Sequence, residues 1–390
     1  MSDGSTSVMQ DDIPRNPVRQ FPFQMLKEIY EQPDAIRRTI EQHLDGATSS
    51  IRLDRLPLSA AEWAGLRSVT IVASGSSRHA GLCGKLMIEE LAGIPVNVEH
   101  ASEYGYRKPL NGAESLVMAI TQSGETADTT TAQRLAKEYG KRTLAITNVE
   151  DSTIAREADA NFFTFAGQEI AIPATKSFTT QLTATYMLAL FFAAHKNALG
   201  PEAIRRRIDA LRQVPSTIGA LLEQFDVQAH AIARNYCDDE VFIYLGRDVH
   251  YAIALEGALK LKEVSYVHAE GYPTGELRHG PTALLDENLP VVAIVTRDAS
   301  DPESVLRYER SRSLLREVHQ HSKRLILIAS QGDEELRKLG TSCFLLPETN
   351  ELLLPIVEVV PLQLLAYHIA VLKGFNPDRP RNLVKAVTVE

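Results

Sequence analysis

The sequence predicts an α/β protein of two similar lobes, each a parallel sheet flanked by helices. Three observations carry that expectation. Short runs rich in Val, Ile and Thr alternate with helix-length amphipathic segments. The same order of runs recurs in the second half of the chain. Hydroxyl-rich segments follow directly on two of the β-type runs of the first half, and ligands of open parallel sheets bind outside the carboxyl ends of the strands.

In order, residues 1–22 are polar and mixed and read as a flexible lead. Helical patterning begins near Gln24 and Pro33 suits the first turn of a second helix, which gives an N-terminal helical segment over 23–65. The first lobe, 66–200, holds strand-type runs at 68–73, 96–99, 116–120 and 143–147, with a helix over 126–139. Residues 201–234 read as a helical connector. The second lobe, 235–375, repeats the order: 241–245, a helix through 256–264, 291–295, another helix, then 325–329. Aligning Gly75 with Gly246 places Thr121 near Thr296 and Thr147 near Ser330. Residues 376–390 form a C-terminal tail that stays apolar and rich in β-branched residues to its end, so docking into the body at the active site is expected.

The chain has 390 residues, 44% of them hydrophobic, which suits two ordinary domain cores. A formal charge of -9 disfavours nonspecific nucleic-acid binding and gives no membrane-seeking basic stretch. Cys83, Cys237 and Cys343 are too scattered for a disulfide framework or a zinc site, so reduced, mostly buried thiols and no metal centre are expected. The uninterrupted apolar run near 186–194 is shorter than a bilayer span, and no signal-like segment opens the chain. A cytoplasmic protein with neither membrane nor nucleic-acid partner is the expectation.

The segment 121–129, Thr-Gln-Ser-Gly-Glu-Thr-Ala-Asp-Thr, joins the 116–120 run to a helical pattern. Unpaired N–H groups and the positive end of the macrodipole favour an anion at such a helix start, and small hydroxyls add donors without bulk. Ser and Thr also serve as plain caps, yet five hydroxyl or amide side chains in nine residues exceed what a cap requires. Ser74-Gly75-Ser76-Ser77 repeats the theme after the first run, whereas the second lobe has Arg247-Asp248 and Arg297-Asp298 there. A phosphate site is therefore placed in the first lobe. Gly75 has no Gly-x-Gly-x-x-Gly run around it, so a dinucleotide is not indicated.

Glu256, Lys260 and Glu263 are spaced four and three apart and share one helical face, either as an ordinary salt-bridged surface or as an acid–base group. Residues 271–281, Gly-Tyr-Pro-Thr-Gly-Glu-Leu-Arg-His-Gly-Pro, read as a rigid glycine-flanked loop presenting His279. His100, His250 and His268 read as structural. A docked tail would desolvate Lys385 and lower its pKa, making it a plausible Schiff-base amine.

Four motifs in order, Ser-Gly-Glu-Thr-Ala-Asp-Thr from Ser123, Ala-Leu-Glu-Gly-Ala-Leu-Lys-Leu-Lys-Glu from Ala254, Gly-Glu-Leu-Arg-His-Gly-Pro from Gly275 and the ending 381–390, resemble the isomerase half of glucosamine-6-phosphate synthase. That half is a tandem of two sugar-isomerase (SIS) domains, three-layer and flavodoxin-like, and the resemblance runs from about Lys27 to the last residue. It implies a sugar phosphate held by Ser76, Ser77, Thr121, Gln122, Ser123 and Thr126, with Ile172 also at the substrate. It further implies that His279 opens the hexose ring from the neighbouring subunit of a homodimer, that Lys385 forms an imine at C2, and that Glu263 moves a proton between C1 and C2. Glu256 and Lys260 would orient these groups, with no cofactor.

Two positions depart from the family pattern: Pro173-Ala174 precedes Thr175-Lys176 where a hydroxyl is usual, and Pro273-Thr274 replaces a small-residue pair. The synthase's glutaminase domain, with its N-terminal cysteine, has no counterpart in the sequence, so glutamine-independent interconversion of glucosamine 6-phosphate with fructose 6-phosphate and ammonia is expected, running as a deaminase. A separate glutaminase partner is compatible with this. A deglycase for phosphorylated fructosamines and a non-catalytic sugar-phosphate sensor are the alternatives.

Overall fold

The protein is described by a computed structural model covering residues 20–45, 50–53, 58–106, 108 and 114–388. The lead expected over 1–22 falls outside these residues as far as 19. Each lobe is built on a five-stranded, wholly parallel sheet. In the first, β1 (Ser68–Ala73), β2 (Val96–His100), β3 (Ser115–Ile120), β4 (Arg142–Thr147) and β5 (Ala160–Phe163) lie in the order β2-β1-β3-β4-β5. In the second, β6 (Val241–Gly246), β7 (His268–Pro273), β8 (Val291–Val295), β9 (Leu325–Ser330) and β10 (Ser342–Leu346) lie in the order β10-β9-β8-β6-β7. Read from its β7 edge, the second sheet repeats the 2-1-3-4-5 topology of the first, the flavodoxin-like order.

Helices cover both faces of each sheet, so the central strands are buried on both sides and read as near-continuous apolar runs. Every residue of β3 and β8 is buried. The edge strands β5, β7 and β10 were not among the expected runs. Ala-Asn-Phe-Phe, His-Ala-Glu-Gly-Tyr-Pro and Ser-Cys-Phe-Leu-Leu are mixed in polarity because an edge strand is only half covered. Pro273 is tolerated because it closes such an edge strand. The segment 271–281 is accordingly not one loop: its first three residues end β7, and a 3-10 turn, Thr274–His279, carries the histidine.

One apolar cluster runs from Val69 and Ile71 of the first sheet to Ile326 and Ile328 of the second, through the Lys176–His195, Pro201–Tyr236 and Leu354–Leu372 helices. The two lobes thus share a core. The 22 residues Glu351–Leu372, with mean hydropathy 1.8, are long and apolar enough to cross a membrane, a longer stretch than the 186–194 run picked from the sequence. Of the most apolar 18-residue stretch among them, 94% is buried inside the protein, the setting of a core helix. The three cysteines are free, but only Cys83 is fully buried.

Register aligns the strand ends. Ala73 pairs with Ile120, and Ile120 with Ile146, so the residues following β1, β3 and β4 share the carboxyl edge of the sheet. β1 connects to β2 on one side and β3 lies on the other, which opens a crevice between the ends of β1 and β3.

Candidate active site

The segment after β3 enters the Ala127–Glu138 helix through Thr126 at its N-cap. Thr126 makes no side-chain capping bond; its hydroxyl lies 2.9 Å from that of Thr121, which is 3% exposed. These hydroxyls are not consumed by capping, so the plain-cap reading does not describe them. Ser123 Oγ accepts from Glu125 N–H at 3.2 Å. The Gln122 carbonyl accepts from Asn148 N–H at 3.1 Å and from Thr147 Oγ1 at 3.3 Å, while its side chain stays half-buried. Gly124 is obligatory: at φ 69° a Cβ would stand 2.1 Å from Ser152 Oγ. The result is a rigid nest of hydroxyls and first-turn N–H groups of the kind that holds phosphate.

Across the crevice the Gly75–Ala92 helix begins with Gly75 at φ 53° and brings Ser76 and Ser77, both half-buried, into its first turn. Ser76 Oγ accepts a hydrogen bond from Lys260 Nζ at 3.1 Å, so the two lobes meet here. Lys260 and Glu256 are 0% exposed, which rules out the ordinary solvated salt-bridge face. Lys260 Nζ lies 2.5 Å from Glu263 Oε2 and 3.5 Å from Glu256 Oε1. Glu263 is the member of the row that reaches solvent, at 21% side-chain exposure. Burial opposes both buried charges, but each charge overcomes it: Glu263 and then Glu256 hold Lys260 above the usual lysine range, while Lys260 and His79 keep Glu256 below the usual carboxylate range.

Residues 374–388 contain no strand. The tail is laced to the body by polar contacts, and Leu383, Val384 and Val387 remain 40%, 64% and 54% exposed. Asp378 caps the Gln24–Tyr30 helix, accepting from Gln24 N–H and Met25 N–H at 2.8 Å each. Its carbonyl accepts from Ile172 N–H at 3.0 Å, which fixes half-buried Ile172 beneath the tail. Arg381 N–H donates to Tyr266 Oη at 2.9 Å. Val387 O accepts from Ala127 N–H at 3.0 Å, seating the tail on the cradle helix itself. Two residues earlier, Lys385 Nζ donates to Glu169 Oε2 at 2.5 Å and to Ala171 O at 2.7 Å. The amine expected to lie desolvated under a docked tail therefore has a buried carboxylate partner.

Glu169 also accepts from Ser177 Oγ at 2.7 Å and from Thr175 N–H at 2.9 Å. Burial raises this carboxyl, but Lys385 and the Ser177 and Thr175 donors outweigh it and hold it below its ordinary range. Ala174, in place of the usual hydroxyl, is half-buried, whereas Lys176 is buried against Glu31 Oε2 at 2.7 Å. His279 does not join the cluster. It sits exposed at the end of the Thr274–His279 turn.

Sequence reasoning missed His79, Glu169 and Glu28. His79 Nδ1 lies 2.7 Å from Glu256 Oε2, and its position three residues after Ser76 on one helix was a readable signal. Glu28, 2% exposed, accepts from Ile170 N–H at 2.5 Å and Ala171 N–H at 3.3 Å. No spacing in the sequence announces it, because it arrives from the N-terminal helix.

Fold and site define a tandem α/β protein with a hydroxyl-lined crevice in its first lobe and a buried amine–carboxylate row supplied by its second. The SIS domain family matches residues 65–191 and 236–373, and the chain belongs to that family. It is 44% identical over 366 residues to a glutamine–fructose-6-phosphate aminotransferase (isomerizing) of Symbiobacterium thermophilum, covering 94% of this chain and 59% of that protein. The chain thus spans about three-fifths of the curated relatives it matches. The C-terminal domain of glucosamine-fructose-6-phosphate aminotransferase from Francisella tularensis superposes with TM-score 0.85 at 39% identity, over 92% of this chain and 98% of that one. A glucosamine-6-phosphate deaminase from Thermotoga maritima, 24% identical with TM-score 0.66 over 93% of this chain and 99% of its own, shares the fold.

Proposed function

We propose that this chain is a sugar-phosphate isomerase that handles an amino group, interconverting glucosamine 6-phosphate with fructose 6-phosphate and ammonia. The observation that carries the reading is the tail: Val387 O sits on the cradle helix while Lys385, two residues away and so within about 7 Å along the chain, meets Glu169. Phosphate bound by Thr121, Ser123, Thr126 and Ser77 would leave the sugar's carbonyl end facing that amine. The aminotransferase names of the relatives support the same substrate pair.

In this reading Lys385 forms an imine at C2 of the open-chain ketose. Glu263, the partly exposed member of the row, takes a proton from one of C1 and C2 and returns it to the other, and Lys260 fixes its carboxylate at 2.5 Å. Glu256, held by His79 and Lys260, keeps the amine of Lys260 in place and charged. His279, exposed on its own chain, acts in ring opening at a partner's site within a homodimer. With ammonia drawn from solution, mass action favours deamination wherever free ammonia is dilute.

The test is direct. Purified protein is incubated with glucosamine 6-phosphate while ammonia and fructose 6-phosphate are assayed, and the reverse reaction is run in excess ammonium. Turnover in either direction supports the reading, and none in both rejects it.

A further inference from the structure

We infer that Glu169 is the base that frees the Lys385 amine for attack on the sugar carbonyl, with Glu28 as a positioning residue beside it. The inference rests on the reading of Lys385 as the imine-forming amine. A lysine must be neutral to attack carbon, and its ion pair with a lone carboxylate ordinarily keeps it charged. The surroundings of this pair differ from that case. Glu28 Oε1 accepts from the N–H groups of Ile170 and Ala171, the two residues that follow Glu169, and Glu28 Oε2 is buried with no hydrogen-bond partner among the described residues. Glu169 thus meets the amine directly while Glu28 sits behind it on the next two backbone N–H groups, and a charge on Glu28 opposes the charge on Glu169, which makes Glu169 a stronger proton acceptor than Lys385 alone would leave it.

Other charged groups face the same place. Lys176, at the start of the Lys176–His195 helix, is neutralised by Glu31 and the Gln168 carbonyl. Lys260, on the Val249–Ser265 helix, feels the charge of Glu169 and is already paired with Glu263 and Glu256. Burial and the neighbouring Glu169 push the Glu28 carboxyl up to about 7, so it gains its charge near neutrality.

The step balances. The Lys385 ammonium passes one proton across 2.5 Å to Glu169, and the freed nitrogen pair bonds to C2. The carbonyl π pair takes that proton to become a hydroxyl. The nitrogen then returns a second proton to Glu169, which delivers it to the departing hydroxyl as the C=N bond forms. Of three ammonium protons, two leave in water with the carbonyl oxygen and one stays on the iminium nitrogen, with Glu169 again a carboxylate.

The experiment traps fructose 6-phosphate with borohydride between about pH 6 and 10 and quantifies the adduct on Lys385 by mass spectrometry in wild type, Glu169→Gln and Glu28→Gln. Glu169→Gln should slow trapping at pH 7 by about a hundredfold, the deficit shrinking as pH rises. Glu28→Gln should match wild type below about pH 7, where Glu28 is protonated, and fall about threefold above it. Wild-type rates and pH profile in both variants would overturn the inference; should Glu169→Gln fail to fold, Glu28→Gln alone decides it. Absence of any adduct on Lys385 in wild type would instead overturn the functional reading on which it rests.

Discussion

Ser76 Oγ and Lys260 Nζ, 3.1 Å apart, join the hydroxyl-lined crevice of one lobe to the acid–base helix of the other. Because Lys260 is fully buried, this contact fixes how the carboxyl edge of the first sheet meets the charged row of the second lobe. Lys260's side of it cannot relax into solvent. The contact is therefore as much a constraint on folding as on chemistry.

Replacing Lys260 with Met removes the cation between Glu256 and Glu263 and leaves Glu256, 0% exposed, with His79 and Ser76. Breaking a buried ion pair on one side costs about 3–5 kcal/mol. Urea unfolding should show a loss of that size for Lys260→Met, and the double variant Lys260→Met/Glu256→Gln should regain at least half of it. Turnover should stay lost in both. A single variant as stable as wild type would show that the three groups are not energetically coupled.

Thr121→Val should separate binding from chemistry. Its hydroxyl pairs with that of Thr126 and neither is used for capping, so its loss should weaken the phosphate without disturbing the amine. A tenfold rise in KM corresponds to about 1.4 kcal/mol, within the range for one such hydrogen bond, and kcat should change by less than about threefold. Protection by inorganic phosphate in thermal melts should weaken in parallel. A fall in kcat at unchanged KM would move Thr121 out of the cradle.

The strands β1, β3, β4, β6, β8 and β9 and the cradle segment were legible because burial on both faces writes an apolar run, and an anion nest writes a run of hydroxyls. The edge strands β5, β7 and β10 lack the first signal and were not seen, whereas β2, also at an edge, was read from its alternating valines at 96–99. Glu256, Lys260 and Glu263 were readable as one face, but not as a buried one, since spacing reports direction and says nothing of cover. Glu169 and Glu28 were invisible for a deeper reason: they lie 141 positions apart and become neighbours only when the N-terminal helix packs under the 169–171 segment. Glu358 carried an unused signal, a carboxylate inside a helix apolar enough to span a membrane, which must find a partner when buried.

Glu28 should be destabilising at neutral pH. Its folded value is raised to about 7 against an unfolded one near 4.5, so the native state holds the proton more tightly and stability falls as pH rises through that window. Gln at this position keeps an oxygen for Ile170 and Ala171 N–H and never ionises. Glu28→Gln should therefore raise stability by up to about 3 kcal/mol near pH 8 and leave it unchanged near pH 4, as read from urea midpoints at both values. An equal effect at both pH values would mean that the change acts through packing.

His250, in the second lobe, should stabilise near neutral pH where Glu28 destabilises, although both effects lose stability as pH rises. It is 3% exposed, with Nδ1 3.0 Å from Glu358 and Nε2 3.2 Å from Glu351, while Thr296 donates to Glu358 and Ser304 to Glu351. Thr296 occupies the place after β8 that Thr121 occupies after β3, so the chain's own carboxylates fill the ground where the first lobe has its cradle. Burial lowers the imidazole, but Glu358 and Glu351 outweigh it and push it up to about 10; Glu351 falls to about 2 despite its own burial, held by His250, Ser304 and Arg307. A raised histidine contributes its stability in full below the unfolded value of about 6.5 and loses it as pH climbs through about 10. The depressed Glu351 contributes above about 4.5 and loses it as pH falls toward 2. His250→Gln should therefore cost about 3–5 kcal/mol in urea unfolding near pH 6, where both partners of the pair are charged, and much less near pH 10. A penalty that does not shrink with rising pH would show that His250 serves by shape rather than by charge.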